Sequence, residues 1–265
     1  MTVTARAQVG VLLRDWRRQR RLSQLDLALD AGVSARHLSF VETGRSKPSP
    51  ETILRLAEEL QVPLRERNRL LLAAGYAPVY EERALDDPDM RPVQEAVQLV
   101  LDGHDPCPAL TVDHGWALVA HNHGAELLMA GLPDDLVAKP LNVLRASLHP
   151  DGLAPRILNL AEWKAHIIAR LSRQIALTGD AALRQLQDEL EGYPAPSSDG
   201  EHAPPVNDVV VPLRLRAGDA ELRFFSTVTT FGTPVDITVE ELSIESFFPA
   251  DRTTAEALAR HAAGP

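Results

Sequence analysis

"GVSARHLSFVETGRSKPSP", residues 32–50, decides the fold of the first part of this 265-residue chain. Gly32 tolerates the left-handed backbone that a tight turn needs, and Ser34 stands where a side chain caps the start of a helix. Leu38 and Val41 are three residues apart, as on the buried face of a short helix. The stretch therefore predicts a turn, a capped helix and a loop rich in Gly, Ser, Pro and basic residues.

The flanking residues extend this pattern to five short helices over residues 1–76. Ser23 with Asp26 has the spacing of a capping box at the start of the second helix. Two later helices are predicted to begin at Pro50 and Pro63, because proline is favoured in the first turn of a helix. The apolar spacing predicts that the buried face of the second helix consists of Leu25, Ala28 and Leu29.

The formal net charge of −10 hides an asymmetry along the chain. Residues 1–80 hold 13 Lys/Arg and 8 Asp/Glu, a net charge of +5. Residues 81–265 hold 14 Lys/Arg and 29 Asp/Glu, a net charge of −15. The basic part is suited to meet phosphate, whereas the acidic part is expected to lie away from it.

Two helices joined by a glycine-containing turn form a helix-turn-helix, whose second helix enters the major groove of DNA N-terminus first. Arg36 is the strongest candidate for reading a base, since a guanidinium contacts guanine bidentately. Gln24 begins the preceding helix, where the helix N-terminus faces a phosphate, and Arg45 and Lys47 are expected to hold the DNA backbone. The alternative is a structural or protein-binding module that happens to carry arginines.

Residues 13–60 resemble the XRE/Cro/C1-type helix-turn-helix of phage repressors and bacterial regulators, through the pattern "SQ…LA…AGVS…LS…E.GR..PS…L..LA". The resemblance implies a structural role for Glu42. Phage repressors often have amides where this chain has Ala35 and Phe40, so the operator sequence does not transfer. The resemblance and the helix positions together predict a set of residues at DNA bases or phosphates: Arg17, Gln24, Ser34, Ala35, Arg36, His37, Ser39, Phe40, Arg45 and Lys47.

The composition changes after residue 76, where proline and acidic residues become frequent. Residues 77–107 are predicted to be a linker with one short helix over about residues 93–101. Residues 108–251 are predicted to form a second domain. Residues 252–265 are predicted to be a C-terminal tail.

The second domain alternates strand and helix patterns. "PALTVDHGWALVAHN" predicts a hairpin, and residues 209–216 with 221–231 predict another. A last strand is predicted over residues 242–247, which makes five antiparallel strands with helices inserted after the second. Asn159 with Glu162 is expected to cap a long helix. Residues 193–205 are predicted to be a surface loop.

The second domain shows no pattern for catalysis, a cofactor or a metal. Cys107 is the only cysteine, and its position between two prolines matches no nucleophile–base arrangement. His121 and His123 lack a third ligand at a diagnostic spacing. There is no glycine-rich phosphate loop and no signature of paired carboxylates. We therefore expect no enzyme, no cofactor and no metal site.

Three segments resemble the ligand-binding domain of MmyB-like transcription regulators: "PALTVDHGWALVAHN", "LNVLRASLHPDGLAPRILNLAEWKAHIIARLSRQ" and "FFSTVTTFGTPVDITVEELSIESFFPAD". That domain is similar to PAS folds. The resemblance implies an α+β chain, with a five-helix helix-turn-helix domain before a PAS-like antiparallel sheet with inserted helices. It also implies an effector pocket, with a fatty acid or another acyl compound as the first expectation. The candidate pocket residues are Trp116, Asn122, His149, Arg156, Asn159, Trp163, His166 and Phe224.

One helix-turn-helix module buries little DNA surface, so we expect a homodimer on a pseudo-palindromic operator in double-stranded DNA. The leading hypothesis is a ligand-responsive transcription regulator, with repression as the expected direction. One alternative keeps the DNA binding and assigns the C-terminal domain to dimerisation alone. Another is an enzyme whose helix-turn-helix contacts protein. The chain shows neither a signal-peptide core nor a run of about eighteen apolar residues, so a cytoplasmic, nucleoid-associated protein away from membranes is expected.

Overall fold

The computed structural model describes residues 3–196 and 211–262, which form two compact units. The first unit runs to Ala84 and also includes Thr233–Glu240. The second comprises Leu85–Gly232 and the residues from Glu241 onward. Within the described residues, every helix is too short or too polar to span a lipid bilayer.

The first unit confirms the predicted five-helix N-terminal domain. Its helices are α1 (Val3–Gln19), α2 (Gln24–Asp30), α3 (Ala35–Glu42), α4 (Pro50–Glu59) and α5 (Leu64–Ala73). The side chains of Ser23, Ser34 and Ser49 accept hydrogen bonds from the first turns of α2, α3 and α4. The capping box of Ser23 with Asp26 is present. The N-cap residues therefore fix where these three helices begin.

The buried face of α2 differs from the prediction. Leu25 and Leu29 are exposed, the latter to 71%. Ala28 is buried as predicted, and Leu27 is the leucine that faces the core. Leu25 and Leu29 are four residues apart and therefore lie on the same face of α2. Because Leu27 lies on the face that packs against the core, Leu25 and Leu29 face solvent.

Thr233–Glu240 belongs to the first unit, although the sequence predicts it within the second domain. The carboxylate of Asp236 accepts a hydrogen bond from Arg83 Nη1 at 3.2 Å. Glu240 Oε2 accepts one from the backbone N–H of Leu64 at 2.7 Å, in the first turn of α5. A segment that is distant in sequence therefore helps to hold the first unit together.

The second unit begins at Leu85, within the predicted linker, and contains the sheet. Its α-helices and strands are α6 (Arg91–Asp102), β1 (Ala109–Val112), β2 (Leu118–His121), α7 (Glu126–Met129), α8 (Asp134–Val137), α9 (Val143–Leu148), α10 (Leu160–Thr178), α11 (Ala181–Gly192), β3 (Leu213–Ala217), β4 (Ala220–Thr230), β5 (Ser243–Pro249) and α13 (Arg252–Ala262). One further helix, α12 (Ile237–Glu241), lies almost entirely in the segment that belongs to the first unit. The strand order is β2-β1-β5-β4-β3, and all neighbours are antiparallel. The predicted five-stranded sheet, with helices inserted after its second strand, is confirmed.

The side chain of Asn159 does not cap α10, in contrast to the prediction. Its Oδ1 accepts a hydrogen bond from the backbone N–H of Arg214 at 3.1 Å, and its Nδ2 donates to the carbonyl of Pro212 at 2.8 Å. Asn159 therefore fastens the start of α10 to β3. The tertiary partner replaces the local cap that the sequence suggests.

The chain end and one loop also need comment. The predicted tail forms α13 up to Ala262, with Thr254 and Leu258 buried. Thr254 Oγ1 accepts a hydrogen bond from the backbone N–H of Arg223 in β4 at 2.9 Å, so α13 packs on the sheet. Residues 197–205 of the predicted loop and the predicted strand residues 209–210 lie outside the described residues.

Candidate functional sites

The start of α3 lies at the surface of the first unit. Ser34 and Arg36 are exposed, while Ala35, His37, Ser39 and Phe40 are partly exposed. The guanidinium carbons of Arg36 and Arg45 lie 5.3 Å and 5.9 Å from the ring centroid of Phe40. Cation–π contacts of this kind hold an arginine in place without using its N–H donors. The predicted base-reading arginine and a predicted phosphate-binding arginine are therefore brought together by one aromatic ring.

The loop after α3 holds the remaining predicted cation. Lys47 Nζ lies 4.1 Å from the ring centroid of Tyr76, and the Tyr76 hydroxyl donates a hydrogen bond to the carbonyl of Pro48 at 3.0 Å. Lys47 itself is exposed. Lys47 is therefore an exposed cation whose position is restricted by its contact with Tyr76.

Arg17 and Glu42 form what we call the core ion pair. Arg17 Nε and Nη2 donate to the two carboxylate oxygens of Glu42 at 2.6 Å and 2.8 Å. Gln24 Nε2 donates to the same carboxylate at 2.8 Å, and Arg17 Nη1 donates to the carbonyl of Leu22 at 2.8 Å. The side chains of Arg17 and Glu42 are 11% and 1% exposed. This cluster joins α1, α2 and α3.

The core ion pair keeps Glu42 charged. Burial alone raises the pKa of Glu42, but the hydrogen bonds from Arg17 and Gln24 and the nearby positive charges of Arg17 and Arg14 outweigh it, so that the pKa lies below its ordinary value. The hydrogen bond that Arg17 donates to Glu42 raises the pKa of Arg17 against the opposing effect of burial. The side chains of Arg17 and Gln24 are thus engaged inside the unit, and their contact with phosphate stays a prediction.

An apolar cavity lies in the second unit, enclosed by one face of the sheet and by α7, α9 and α10. The space inside it, with the open mouth included, is about 820 Å³. The lining residues are Leu110, Trp116, Leu118, His121, Ala125, Leu128, Met129, Leu132, Leu141, Val143, Leu144, Ala146, Ser147, Leu153, Trp163, His166, Ile167, Arg170, Leu213, Glu245 and Phe247.

One wall of this cavity carries a second ion pair, which we call the cavity ion pair. Arg170 Nη1 donates to Glu245 Oε1 at 3.0 Å, and the two side chains are 23% and 8% exposed. The guanidinium of Arg170 also lies 4.4 Å from the ring centroid of Trp116. Trp116 has a left-handed backbone, with φ of 67°, and its Nε1 donates to Gln174 at 2.8 Å. The side chain that follows this unusual backbone is therefore held both over its ring and at its ring N–H.

Two other polar residues of the wall, Ser147 and His166, contact Trp163. Its Nε1 donates to Ser147 Oγ at 3.0 Å, and the His166 ring stacks on it at a centroid distance of 5.6 Å. Burial, together with the positive charge of Arg170, lowers the pKa of His166. The imidazole is therefore neutral at neutral pH.

Three of the predicted pocket residues line the cavity: Trp116, Trp163 and His166. The other five lie elsewhere. Asn122 accepts a hydrogen bond from the backbone N–H of Ala109, and His149 accepts one from the backbone N–H of Asp151. Arg156 donates to the carbonyls of Leu127 and Ala130. Asn159 binds β3, and Phe224 is fully buried against Phe247. These five side chains are occupied by structural contacts, and their role in ligand binding stays a prediction.

Sequence reasoning missed both members of the cavity ion pair. Arg170 follows His166 by four residues, which places both on one face of α10, so helical spacing carried a signal for it. Glu245 lies in the alternating strand "LSIESF", two residues before Phe247, so the strand period places both on one face. The sequence does not show that this face lines a cavity, because that depends on how β5 pairs with β1 and β4.

The residues considered for catalysis and metal binding have other surroundings. Cys107 is partly buried, and burial, together with the charge of Asp105, raises the pKa of its thiol. His121 Nδ1 lies 3.0 Å from the carbonyl of Asn122. Within the described ranges, no three His, Cys, Asp or Glu side chains are grouped so that they could hold a metal ion.

Comparison with known families matches both units. A sequence profile described as the MmyB-like transcription regulator ligand binding domain matches residues 93–260. A helix-turn-helix profile matches residues 13–67.

Individual relatives match the N-terminal part. The uncharacterized HTH-type transcriptional regulator RghRB of Bacillus subtilis (strain 168) is 35% identical over 94 residues, which are 35% of this chain and 61% of the relative. The HTH-type transcriptional repressor RghR of the same organism is 43% identical over 77 residues, which are 28% of this chain and 55% of the relative. This chain therefore spans less than two thirds of either relative. The crystal structure of the restriction-modification controller protein C.AhdI from Aeromonas hydrophila is similar at 34% identity and a TM-score of 0.22, covering 23% of this chain and 92% of that one.

Proposed function

Because this chain belongs to the MmyB-like transcription regulators, we propose that it binds DNA sequence-specifically through α2 and α3 and senses a small apolar or amphipathic effector in its second unit. The observation that carries the proposal is the apolar cavity in the second unit of a chain whose first unit presents a capped helix with exposed arginines.

The DNA-binding part rests on the surface around α3. Arg36 is expected to read a base, since its guanidinium is exposed and its contact with Phe40 leaves its N–H donors available. Arg45 and Lys47 are expected to contact phosphates from the adjoining loop. Ser34, Ala35, His37, Ser39 and Phe40 complete the proposed interface. Arg17 and Gln24 contribute mainly by holding α1, α2 and α3 in register through Glu42.

The sensing part rests on the chemistry of the cavity. Its wall is formed mostly by Leu, Met, Phe and Trp side chains, with one cluster of polar groups around Arg170. Such a wall suits a hydrocarbon chain with a polar head group. A fatty acid or another acyl compound is therefore the effector class that we propose. The likeness of this unit to PAS folds is tested by none of the comparisons and stays a prediction.

Other parts of the proposal concern assembly, location and the direction of regulation. We propose a homodimer on a pseudo-palindromic operator, in the cytoplasm at the nucleoid. We also propose repression, which is supported by a relative that carries the name repressor. The competing function is a DNA-binding regulator whose second unit only dimerises, and the cavity favours the sensing role over it.

We propose that the effect of a bound ligand is passed to the DNA-binding unit along Thr233–Glu240. This segment lies in sequence between β4 and β5, and β5 contributes Glu245 and Phe247 to the cavity wall. The same segment bonds to Arg83 and to the start of α5 in the first unit. A ligand changes DNA affinity only through different affinities for two states of the protein, and a shift of β5 transmitted along this segment would provide such states.

The experiment measures binding of the full-length protein to DNA from its own upstream region by fluorescence anisotropy at several salt concentrations. Arg36→Ala is expected to weaken binding by about 1–3 kcal/mol and to relax the preference at one base position, whereas Lys47→Ala should weaken all sequences about equally. Arg69→Ala, an exposed arginine of α5 that pairs with Glu66, is the matched control and should change little. Absence of salt-dependent binding to promoter DNA would reject the function.

The effector arm uses protein purified from its cells. Solvent extraction followed by mass spectrometry is expected to recover an acyl compound in stoichiometric amount, and adding it back should change the DNA affinity. If the protein carries no small molecule and its DNA affinity responds to none of the acyl compounds added, the dimerisation-only alternative is preferred.

A further inference from the structure

The cavity ion pair brings two opposite charges into the wall of an otherwise apolar cavity. Glu245 Oε1 accepts from Arg170 at 3.0 Å, and among the described residues no donor bonds to the second carboxylate oxygen of Glu245. Arg170 carries five N–H donors, and this bond uses one of them. The pair therefore offers a ligand a hydrogen-bond donor and an acceptor side by side.

The cluster carries no net charge. Arg170 and Glu245 cancel each other, and the neighbouring His166 is neutral because burial lowers its pKa. The hydroxyl of Ser147, another polar group of the wall, carries no charge. A ligand head group thus meets a polar but electrically balanced site.

A charged head group is poorly matched to this site. A carboxylate attracted by Arg170 approaches Glu245 at the same time, and in a cavity with little water the repulsion is screened weakly. An ammonium meets the reverse problem at Arg170. Either ion also loses its hydration on entering an apolar cavity. This desolvation free energy is recovered only if the ion meets an opposite charge that is not already paired.

An uncharged head group with both a donor and an acceptor has no such conflict. A carbonyl oxygen accepts from Arg170, while an N–H or O–H donates to Glu245. We propose that this cavity selects an uncharged acyl ligand of that kind, such as a primary fatty amide, over the fatty acid anion. The inference rests on the proposed function, because it refines the effector class of the same cavity.

The test compares three ligands with one hydrocarbon chain: decanamide, decanoate and decylamine. At about pH 8 the acid and the amine are charged and the amide is neutral. Isothermal titration calorimetry on the full-length wild-type protein is expected to show decanamide binding at least about tenfold more tightly than either ion. Equal or tighter binding of decanoate overturns the head-group inference and leaves the sensing function intact. Binding of none of the three overturns the inference and argues against acyl sensing itself.

Two variants then reverse the selectivity. Glu245→Gln keeps the shape and leaves Arg170 without its counter-charge, so decanoate should bind at least about tenfold more tightly than to the wild type. Arg170→Gln should favour decylamine in the same way. Glu221→Gln, which removes the Arg214–Glu221 pair between β3 and β4 outside the cavity wall, is the control and should keep the wild-type order. Folding of each variant is checked by circular dichroism. A folded Glu245→Gln protein with unchanged decanoate affinity overturns the inference, and if the variant does not fold, the wild-type ligand order alone decides.

Discussion

The core ion pair and the cavity ion pair use the same two chemical groups in opposite ways. Glu42 accepts from Arg17 through both oxygens and from Gln24 as well, and its side chain is almost fully buried. Glu245 accepts from Arg170 through one oxygen, and both residues line an open cavity. Residue type and burial alone therefore do not distinguish a structural ion pair from one that is available to a ligand.

The two pairs differ in how many of their hydrogen-bond donors and acceptors already have a partner. The core ion pair lies between three helices, and its charged groups are already hydrogen-bonded to each other, to Gln24 and to the carbonyl of Leu22. Buried charges are tolerated when they are both paired and hydrogen-bonded, which is the situation of Glu42. The bond within the cavity ion pair uses one N–H donor of Arg170 and one carboxylate oxygen of Glu245, so further hydrogen-bonding groups of both side chains can meet a ligand in the cavity. We infer that the first pair stabilises the DNA-binding unit, whereas the second contributes to ligand selection.

The largest expected effect is the loss of stability when the core ion pair is broken. Glu42→Gln removes the charge and leaves Arg17 buried without a counter-ion, so the first unit should lose about 3–5 kcal/mol of unfolding free energy. The measurement is urea-induced unfolding, with hydrogen exchange of α1–α3 amides reporting on this unit. Glu51→Gln, which breaks the exposed Arg55–Glu51 pair on α4, is the control and should have a far smaller effect. A loss below about 1 kcal/mol for Glu42→Gln would mean that the core ion pair is not a main support of the unit.

A smaller effect is expected when the cavity ion pair is broken. After Glu245→Gln, Arg170 keeps its contact with Trp116 and gains water or ligand in the cavity, so the second unit should lose only about 1–3 kcal/mol. The same urea experiment, read from the amides of α10 and β5, measures it. If Glu245→Gln costs as much as Glu42→Gln, the contrast between the two pairs disappears and the cavity pair is structural too.

The sequence predicted most of the fold because the decisive signals are local. Ser23, Ser34 and Ser49 cap helices that any sequence reading finds, and the hairpin around β1 and β2 is marked by its turn residues. The errors arose where a distant partner competes with a local signal. Asn159 has the type and position of a cap, yet it bonds to β3, and the segment Thr233–Glu240 packs in a unit from which it is remote in sequence.

The candidate sites were predictable to different degrees for the same reason. The DNA-binding surface is one helix and its adjoining loop, so residue types and spacing were enough to propose Arg36 and Lys47. The cavity wall is assembled from residues far apart along the chain. Trp116, Trp163 and His166 were among the predicted residues that line it, but Glu245 reaches the wall only through the pairing of β5 with β1 and β4. Strand register is not visible in a short alternating segment, so the acidic half of the pair was missed.

The smallest expected effect concerns a third ion pair, at the surface of the second unit, and it appears only in acid. Hydrogen bonds from Arg145, with a further one from Tyr193, lower the pKa of Glu189 from 4.5 to about 2 against the opposing effect of burial. The unfolded chain therefore takes up this proton first as the pH falls. The stability that Glu189 contributes is complete above about pH 4.5 and is lost as the pH approaches about 2.

Glu189→Gln should flatten the pH dependence of the second unit's stability within that window and leave the first unit's unchanged, because Glu42 remains in place there. Urea unfolding resolved by hydrogen exchange, repeated from about pH 5 to about pH 2.5, measures both units in one sample. The side chain of Glu189 is 36% exposed, so salt should weaken its effect, whereas the core ion pair should respond less. An unchanged acid slope in Glu189→Gln would assign the acid sensitivity of the second unit to other carboxylates. If salt weakened the stability contribution of the core ion pair as much as that of Glu189, the proposed order of the core, cavity and surface pairs would be wrong.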